Sequence, residues 1–390
     1  MTSPIIRADT PSPAPSRKRE GSSRRTLLRT APLAATGLLL PGCATTLATP
    51  PRTSAAPCPP RVNVAANRVI RTVAGLRPYR ASGFVVRAEA LGPKRLIHNY
   101  GHGGAGITLS WGTSRLATNL GLQGASGPVA VIGAGAVGLA TARLAQEAGF
   151  AVTLYAKALP PHTTSNIAGG QIIPTGHYDE DAVTPEWQRQ YRAAMDYSWR
   201  RFQIMVGDDY GIHWVPTWQP GLVRTDGDEA WLLAYQPGQT QFAAGQHPFG
   251  SSTMRRFDTM YVETGRYLSC MIADFQRAGG RIVVRDFATP ADVVALPEAA
   301  IFNCTGLGSH QLFGDTELTP IRGQLAILLP QPEIDYAYAV REGYMFPRAD
   351  GILLGGTWER GEWDATPQAS DIDGIVRGHA GVAANWRCPA

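Results

Sequence analysis

The hydrophobic pattern in the middle of the chain alternates between short apolar runs and a longer amphipathic stretch. Val129–Ile132 is an uninterrupted apolar run, which is typical of a strand buried in a parallel sheet. Residues 139–148 carry apolar side chains at helical spacing up to Gly149, and residues 150–155 form a second apolar run. This order of strand, helix and strand predicts an α/β fold.

Two other amphipathic segments predict helices. Residues 266–277 repeat apolar positions at helical spacing and end before Gly279 and Gly280, and residues 281–284 then predict a short strand. Residues 187–206 predict another helix, with its aromatic side chains on one face. We interpret that face as core packing rather than as a binding site.

The charge of the chain is concentrated at its beginning. Seven basic and two acidic residues precede Cys43, and the whole chain of 390 residues has a formal net charge of +5. The remainder is therefore electrically balanced, and its composition, with 44% hydrophobic and 17% charged residues overall, is that of a globular protein. The charge thus gives no support for a nucleic-acid partner.

The first part of the chain predicts a targeting segment followed by a tether. Ser23–Arg29 resembles a twin-arginine export signal, and the apolar stretch at 31–40 is too short to span a bilayer. That stretch ends in a lipobox-like sequence, which makes Cys43 a candidate site for a lipid anchor. We therefore predict that residues 1–43 are an export signal and residues 44–61 a tether rich in Pro, Thr and Ala. The predicted location is the periplasm, free or anchored to the membrane.

A glycine-rich turn follows directly after the first predicted strand and predicts a dinucleotide-binding site. Its glycines permit a tight turn and let backbone N–H groups approach a pyrophosphate at the start of the following helix. The residues predicted to bind the cofactor here are Gly133, Ala134, Gly135, Ala136, Val137 and Gly138.

The end of the second predicted strand lacks the carboxylate that usually binds the ribose hydroxyls. Residues 154–157 read Leu-Tyr-Ala-Lys, and Lys157 leaves open a 2′-phosphate and hence NADP. A second run of small and hydroxyl residues follows at 163–170. Hydroxyl groups and bare backbone favour a cofactor with many oxygens lying along the chain.

Several motifs together resemble the D-amino acid oxidase family of FAD-dependent oxidoreductases. Beside the two glycine-rich loops, the motifs that stand in the family's order are Asn303–Gly308, Pro320–Gln324, Gly343–Pro347, Leu354–Thr357 and Glu362–Asp364. Two further motifs of the family lie upstream, as Ala74–Arg80 (AGLRPYR) and His98–Gly112 (HNYGHGGAGITLSWG). The resemblance covers most of the chain beyond Val62.

The two upstream motifs are C-terminal in the family, so the resemblance implies that this chain is a circular permutation. A helix from Gly106 to about Leu120 would travel roughly 20 Å at 1.5 Å per residue. It would carry the chain from the flavin to the bottom of the sheet, where the strand at Val129 begins, and residues 122–128 can close the gap. The alternative is a misassembly of two gene fragments, which is disfavoured because the upstream block is complete.

The resemblance implies a fold class and a cofactor. We expect an α/β fold with a Rossmann-like FAD-binding domain at 93–175 and 262–325. We also expect a substrate domain with a mixed or antiparallel sheet at 62–92, 176–261 and 326–388. The cofactor is expected to be non-covalent FAD, and no metal site is predicted. The further residues expected to bind FAD are Thr163, Thr164, Ser165, Gly169, Gly170, Gln171, Phe287, Gly103, Gly104, Ala105, Gly106, Ile107 and Thr108.

The resemblance also implies the chemistry, which is oxidative deamination of D-amino acids to 2-oxo acids and ammonia. A hydride would pass from the substrate Cα to flavin N5, and oxygen, with formation of H2O2, or a membrane quinone would accept the electrons. Arg77 matches the family's carboxylate-binding arginine, whose planar guanidinium binds bidentately. Tyr344 would hydrogen-bond the same carboxylate, and the backbone carbonyl of Gly104 would accept a hydrogen bond from the substrate amine.

Other residues limit this interpretation. His102 resembles a catalytic base, but its position in the family is structural, so we expect no catalytic role. Val340 stands where animal members have a second tyrosine, and Tyr338 is expected to point elsewhere. Two alternatives stay open: an oxidase of glycine or another amine on the same scaffold, and an inactive exported flavin-binding lipoprotein.

The permuted order further implies a disulfide. Cys58 lies just before the permuted block and Cys388 just after the other end, so the two would be neighbours in space. An oxidising compartment would allow them to bond. Cys270 and Cys304 are expected to be buried small hydrophobic residues.

Overall fold

Two β-sheets organise the described part of the chain, which comprises residues 58–223, 225, 227, 230–250 and 252–388 of a computed structural model. The predicted export signal with Cys43, and the predicted tether up to residue 57, lie outside the described residues. In the described ranges, every helix is too short or too polar to cross a membrane.

Helices and strands alternate along the chain in a manner that confirms the predicted α/β class. The α-helices are α1 (Gly106–Leu122), α2 (Ala136–Glu147), α3 (Thr164–Ile167), α4 (Pro185–Gln203), α5 (Thr264–Arg277), α6 (Pro290–Val294), α7 (Gly308–Leu312) and α8 (Ala369–Ala384). The strands are β1 (Val69–Tyr79), β2 (Val85–Leu91), β3 (Lys94–Tyr100), β4 (Val129–Ile132), β5 (Val152–Ala156), β6 (Ile212–Pro220), β7 (Thr240–Phe242), β8 (Met254–Val262), β9 (Arg281–Val284), β10 (Ala300–Asn303), β11 (Thr319–Leu328), β12 (Ala337–Val340), β13 (Gly343–Arg348), β14 (Gly351–Gly355) and β15 (Glu359–Arg360).

The first sheet has six strands in the order β2-β3-β10-β4-β5-β9. All neighbours are parallel except β2, which is antiparallel to β3. Every residue of β4 is buried, because hydrophobic clusters cover both faces of the sheet. Burial on both faces explains why the strand reads as an uninterrupted apolar run.

The second sheet has nine strands and is mixed, as predicted. Its order is β1-β11-β14-β13-β12-β6-β8-β7, with β15 paired to β11. The pairs are antiparallel except β12 with β6. Strand β1 is antiparallel to β11 over almost its whole length, so Arg77 stands opposite Ile321.

The two sheets divide the chain slightly differently from the predicted segments. Strand β2 falls within the predicted substrate segment 62–92, but it is hydrogen-bonded to β3 of the six-stranded sheet. A short turn at Gly92, which has a φ of +56°, joins the two strands and keeps them together. Strand β11 begins at Thr319, inside the predicted flavin segment, and belongs to the nine-stranded sheet.

The aromatic face of α4 is buried, which confirms its interpretation as core. Trp187, Tyr191, Trp199 and Phe202 all lie in the cluster that α1 and α2 share with α4. Gly112 of α1 lets the two helices approach closely, since a Cβ there would overlap the backbone of α4.

The two ends of the described chain are joined as predicted. Cys58 and Cys388 form a disulfide, with their Cα atoms 5.3 Å apart. Cys304 is buried, as expected. Cys270 is only partly buried, so that prediction is wrong. Its thiol lies on the outer side of α5 and reaches the backbone oxygen of Asp209 at 3.0 Å.

Candidate active site

The glycine-rich turn between β4 and α2 has the geometry that its sequence predicts. Gly133 adopts a φ of +115°, and a Cβ there would overlap the carbonyl oxygen of Cys304. Helix α2 begins without a side-chain cap, so its first amides are open to an anion. The N–H of Ala136 is an exception, because it donates to Ser165 Oγ at 3.0 Å and links this turn to the second loop.

The second loop, at 163–171, is held by a hydrogen bond within the loop and by another from helix α5. Thr163 Oγ1 donates to Asn166 Oδ1 at 2.8 Å, and Thr264 Oγ1 donates to the backbone oxygen of Asn166 at 2.9 Å. Nδ2 of Asn166 is buried and has no acceptor among the described residues. A buried donor without an acceptor fits a loop that closes on an oxygen-rich group. Asn166 was not among the residues predicted to bind the cofactor.

The third loop, at 103–108, leads into the first turn of helix α1. Gly103 has a φ of +51°, and the N–H of Gly104 donates to the backbone oxygen of Gly176 at 3.0 Å. Thr108 Oγ1 lies 3.2 Å from the backbone oxygen of Gln171 and so ties this loop to the second one. Ala105 and Ile107 are buried, so a cofactor would meet their backbone rather than their side chains.

These three loops fit FAD. Two helix N-termini without side-chain caps can offset negative charge, and the glycine turns leave space where side chains would intrude. Phe287 contributes differently. Its ring packs against Tyr155 in the core, so it could contact the cofactor only through its backbone.

Arg77 occupies an unusual environment for a strand arginine. Its guanidinium lies against Gly323, where a Cβ would overlap it, and under the ring of Trp358 at 5.3 Å. Nη1 is buried and has no acceptor in the described part of the structure. A half-buried guanidinium with one buried donor lacking an acceptor fits a carboxylate ligand that would satisfy it.

Tyr344 lies beside Arg77. Burial raises the pKa of Tyr344 above its ordinary value, and the charge of the nearby Arg77 acts in the opposite direction. The ring of Tyr344 stacks on Phe346 with centroids 4.7 Å apart, which fixes its direction. The structure thus brings together Arg77 and Tyr344 from strands distant in sequence.

His102 is unsuited to act as a base. It is fully buried, its Nε2 lies 2.9 Å from Thr113 Oγ1, and burial lowers its pKa to about 3. His177 is buried close to it, and burial followed by the charge of His102 lowers its pKa to about 3 as well. A general base needs a pKa nearer the working pH. Tyr338 points away from the site, as predicted, and contacts Nδ1 of His379 at 2.8 Å.

A polar network that sequence reasoning missed supports the strand under Arg77. Arg322 and Gln324 flank Gly323 and, by strand alternation, point to the opposite face. Both bind Glu359 there. Burial alone would raise the pKa of Glu359, but these bonds and one from Thr357 lower it to about 2.

The chain is similar to several known proteins. Residues 52–120 and 128–380 match the profile of the family described as FAD dependent oxidoreductase (DAO). Human D-aspartate oxidase is 29% identical over 266 residues, which cover 64% of this chain and 73% of that protein. The D-amino-acid oxidase of Rubrobacter xylanophilus is 27% identical over 261 residues, or 63% of this chain and 74% of that protein. The solved glycine oxidase of Geobacillus kaustophilus superposes with a TM-score of 0.49 at 15% identity, over 67% of this chain and 80% of that one.

Proposed function

Because the chain belongs to the FAD dependent oxidoreductase (DAO) family, we propose that it oxidises D-amino acids. The observation that carries the proposal is the half-buried guanidinium of Arg77 beside the phenol of Tyr344, with a buried Nη1 that lacks an acceptor among the described residues. This pair suits the carboxylate of an amino acid. The names of the D-aspartate and D-amino-acid oxidases to which the chain is similar support the D configuration.

Each residue has a separate task in the proposed reaction. Arg77 binds the substrate carboxylate through two N–H groups, and Tyr344 donates a third hydrogen bond to it. Gly104, which is exposed, offers its backbone oxygen to the substrate amine. FAD bound by the three glycine-rich loops supplies the acceptor for the hydride from Cα. The resulting imino acid would hydrolyse to a 2-oxo acid and ammonia, and oxygen, reduced to H2O2, or a membrane quinone would accept the two electrons.

An anaerobic panel of amino acids tests the proposal. The purified protein is mixed with D-amino acids, their L enantiomers, glycine and N-methylglycine, and the flavin absorbance is followed. We expect D-amino acids to bleach the flavin, with one equivalent of 2-oxo acid formed per flavin reduced. Bleaching by glycine or secondary amines alone would assign the same site to another substrate. Bleaching by no amine would leave an inactive flavin-binding protein and refute the proposal.

We also propose that the element order is a circular permutation of the family's order. The pairing of β1 with β11, of β3 with β10, and the disulfide between the two ends support it. A rearranged chain with residues 62–120 placed behind residue 388 should fold, bind FAD and oxidise the same substrates. Failure of that chain to fold would count against a simple permutation.

We propose further that the protein is exported by the twin-arginine route and held in the periplasm by a lipid on Cys43. The leader sequence supports this, as does the Cys58–Cys388 disulfide, since disulfides persist in oxidising compartments. Replacing Arg24 and Arg25 by lysine should leave the protein in the cytoplasm. Cys43→Ser should release it from the membrane fraction. Unchanged fractionation in both variants would refute export by this route.

A further inference from the structure

One loop connects the two groups that bind the substrate in the proposed function. The N–H of Gly104 donates to the backbone oxygen of Gly176 at 3.0 Å, so the position of Gly104 depends on this loop. Gly176 has a φ of +54°, and a Cβ there would overlap the ring of Trp358. That ring lies over Arg77. The loop at 175–179 therefore lies between the carboxylate-binding and amine-binding groups.

The C-terminal end of this loop is hydrogen-bonded to the end of the strand that carries Arg77. Tyr79 ends that strand, is buried, and donates from its hydroxyl to Asp179 Oδ1. The N–H of Asp179 donates to the backbone oxygen of Ala81 at 2.8 Å. Arg360 completes the cluster, with its guanidinium 4.8 Å from the ring centroid of Tyr79 and 3.8 Å from Asp179 Oδ2.

The strand end to which the loop is clamped is itself rigid. Arg80 Nε donates to Asp315 Oδ2 at 2.9 Å, and the same carboxylate accepts from Tyr100 Oη at 2.8 Å. Arg80 also pairs with Glu317. Since Tyr100 belongs to β3, these bonds fix the end of β1 to the six-stranded sheet. A loop attached to Tyr79 is therefore attached to a fixed point.

We propose that Asp179 is a positioning residue, which sets the separation of the Gly104 carbonyl from the Arg77 guanidinium through the Tyr79 hydroxyl. The proposal rests on the proposed function. In an α-amino acid, one carbon separates the amine from the carboxylate, so both protein groups must be correctly spaced for the two to bind together. A displacement of about 1 Å can lower the rate roughly 100-fold. The roles of Tyr79, Asp179 and Arg360 follow from contacts between three segments that are distant in sequence.

Two unreactive ligands distinguish a positioning role of Asp179 from a general loss of carboxylate binding. 2-Aminoisobutyrate carries the carboxylate and the amine but no hydrogen on Cα, so it cannot be oxidised. Pivalate has the same shape with a methyl group in place of the amine. Titration of the flavin absorbance of the holoenzyme gives both dissociation constants without turnover. We expect the unmodified protein to bind 2-aminoisobutyrate at least about 10-fold more tightly, because a hydrogen bond to a charged group is strong.

Asp179→Ala should weaken 2-aminoisobutyrate binding about 10-fold while the affinity for pivalate changes less than about 3-fold. Asp179→Asn keeps an acceptor for Tyr79 and should restore most of the preference for 2-aminoisobutyrate over pivalate. Tyr79→Phe should lose that preference as Asp179→Ala does. Asp181→Ala is the matched control, because Asp181 is exposed and lies two residues beyond Asp179. FAD content verifies that each variant folds.

The same variants are compared in anaerobic flavin reduction. With a substrate at saturation, Asp179→Ala should reduce the flavin at least about 10-fold more slowly than Asp181→Ala. If Asp179→Ala kept the preference for 2-aminoisobutyrate over pivalate, the positioning role would be overturned. The same holds if the unmodified protein bound both ligands equally well. Failure of the proposed function is distinct from both, since it shows as an unmodified protein that no amino acid reduces.

Discussion

Replacement of Arg77 by alanine tests the carboxylate site most directly. In the structure the guanidinium is enclosed by Trp358, Gly323 and Tyr344, and one of its donors has no acceptor among the described residues. A substrate carboxylate that enters this site without Arg77 would be desolvated and unpaired. Removing one partner of a buried ion pair costs about 3–5 kcal/mol.

That cost translates into a large kinetic effect. Each 1.36 kcal/mol is a factor of ten, so kcat/KM should fall roughly 100-fold to a few thousand-fold. Arg77→Lys keeps the charge but loses the planar guanidinium, so its kcat/KM should lie between those of the unmodified protein and Arg77→Ala. FAD should be retained in both variants, because the glycine-rich loops belong to other elements.

The free energy of unfolding should respond differently from the activity. In the protein without substrate, the unpaired buried donor of Arg77 lowers the free energy of unfolding by about 1–3 kcal/mol. The contact with Trp358 raises it by about 0.5–1 kcal/mol. Arg77→Ala should therefore leave the stability nearly unchanged or raise it. Activity would fall without unfolding, which separates a binding role from a structural one.

The assay combines kcat/KM for the best D-amino acid, pivalate titration and thermal unfolding. Arg87→Ala is the control, since Arg87 is an exposed strand arginine with only a 3.5 Å ion pair to Glu89. That variant should match the unmodified protein within about 0.5 kcal/mol. A kcat/KM of Arg77→Ala within about 10-fold of the control would remove Arg77 from the site.

Three other predictions follow from the fold. The protein should purify yellow, and its FAD should be released on denaturation; a colourless folded protein that cannot take up FAD would contradict this. Cys58→Ser or Cys388→Ser should lower the unfolding free energy by up to about 5 kcal/mol, the ceiling of the chain-entropy estimate, whereas Cys270→Ser should not, as urea unfolding would show. Stability should fall as the pH decreases from about 6.5 towards 3, since burial lowers the pKa of His102 and His177 in the folded state and the unfolded chain binds more protons there. Unfolding in urea at pH 7 and pH 5 measures the difference, and equal stability at both would refute it.

The sequence predicted those parts of the molecule whose geometry is local. The turn at Gly133 requires a positive φ and a close approach of backbone, and both leave a readable glycine spacing. The aromatic face of α4 was predicted for the same reason, because helical spacing is a local property. Arg77 and Tyr344 came together only through a resemblance to a family, since no spacing rule pairs residues from strands so distant in sequence.

Other features left no local signal. Trp358 and Asp179 are ordinary residues in their own segments and gain a role only from what the sheets bring next to them. Cys270 was predicted to be buried because its helix is amphipathic, but it lies at the margin of the apolar face, where the residue type does not decide burial. Strand β2 lies within the predicted segment 62–92 but pairs with β3, because the hairpin at Gly92 joins these two strands locally.

The disulfide between Cys58 and Cys388 turns the folded region into a covalent ring. The two cysteines are 330 positions apart, so the ring holds both sheets. A ring has a cyclic order of elements but no first and last one. A single protease cut in an exposed loop would therefore give two fragments that stay joined through the disulfide and separate only when it is reduced.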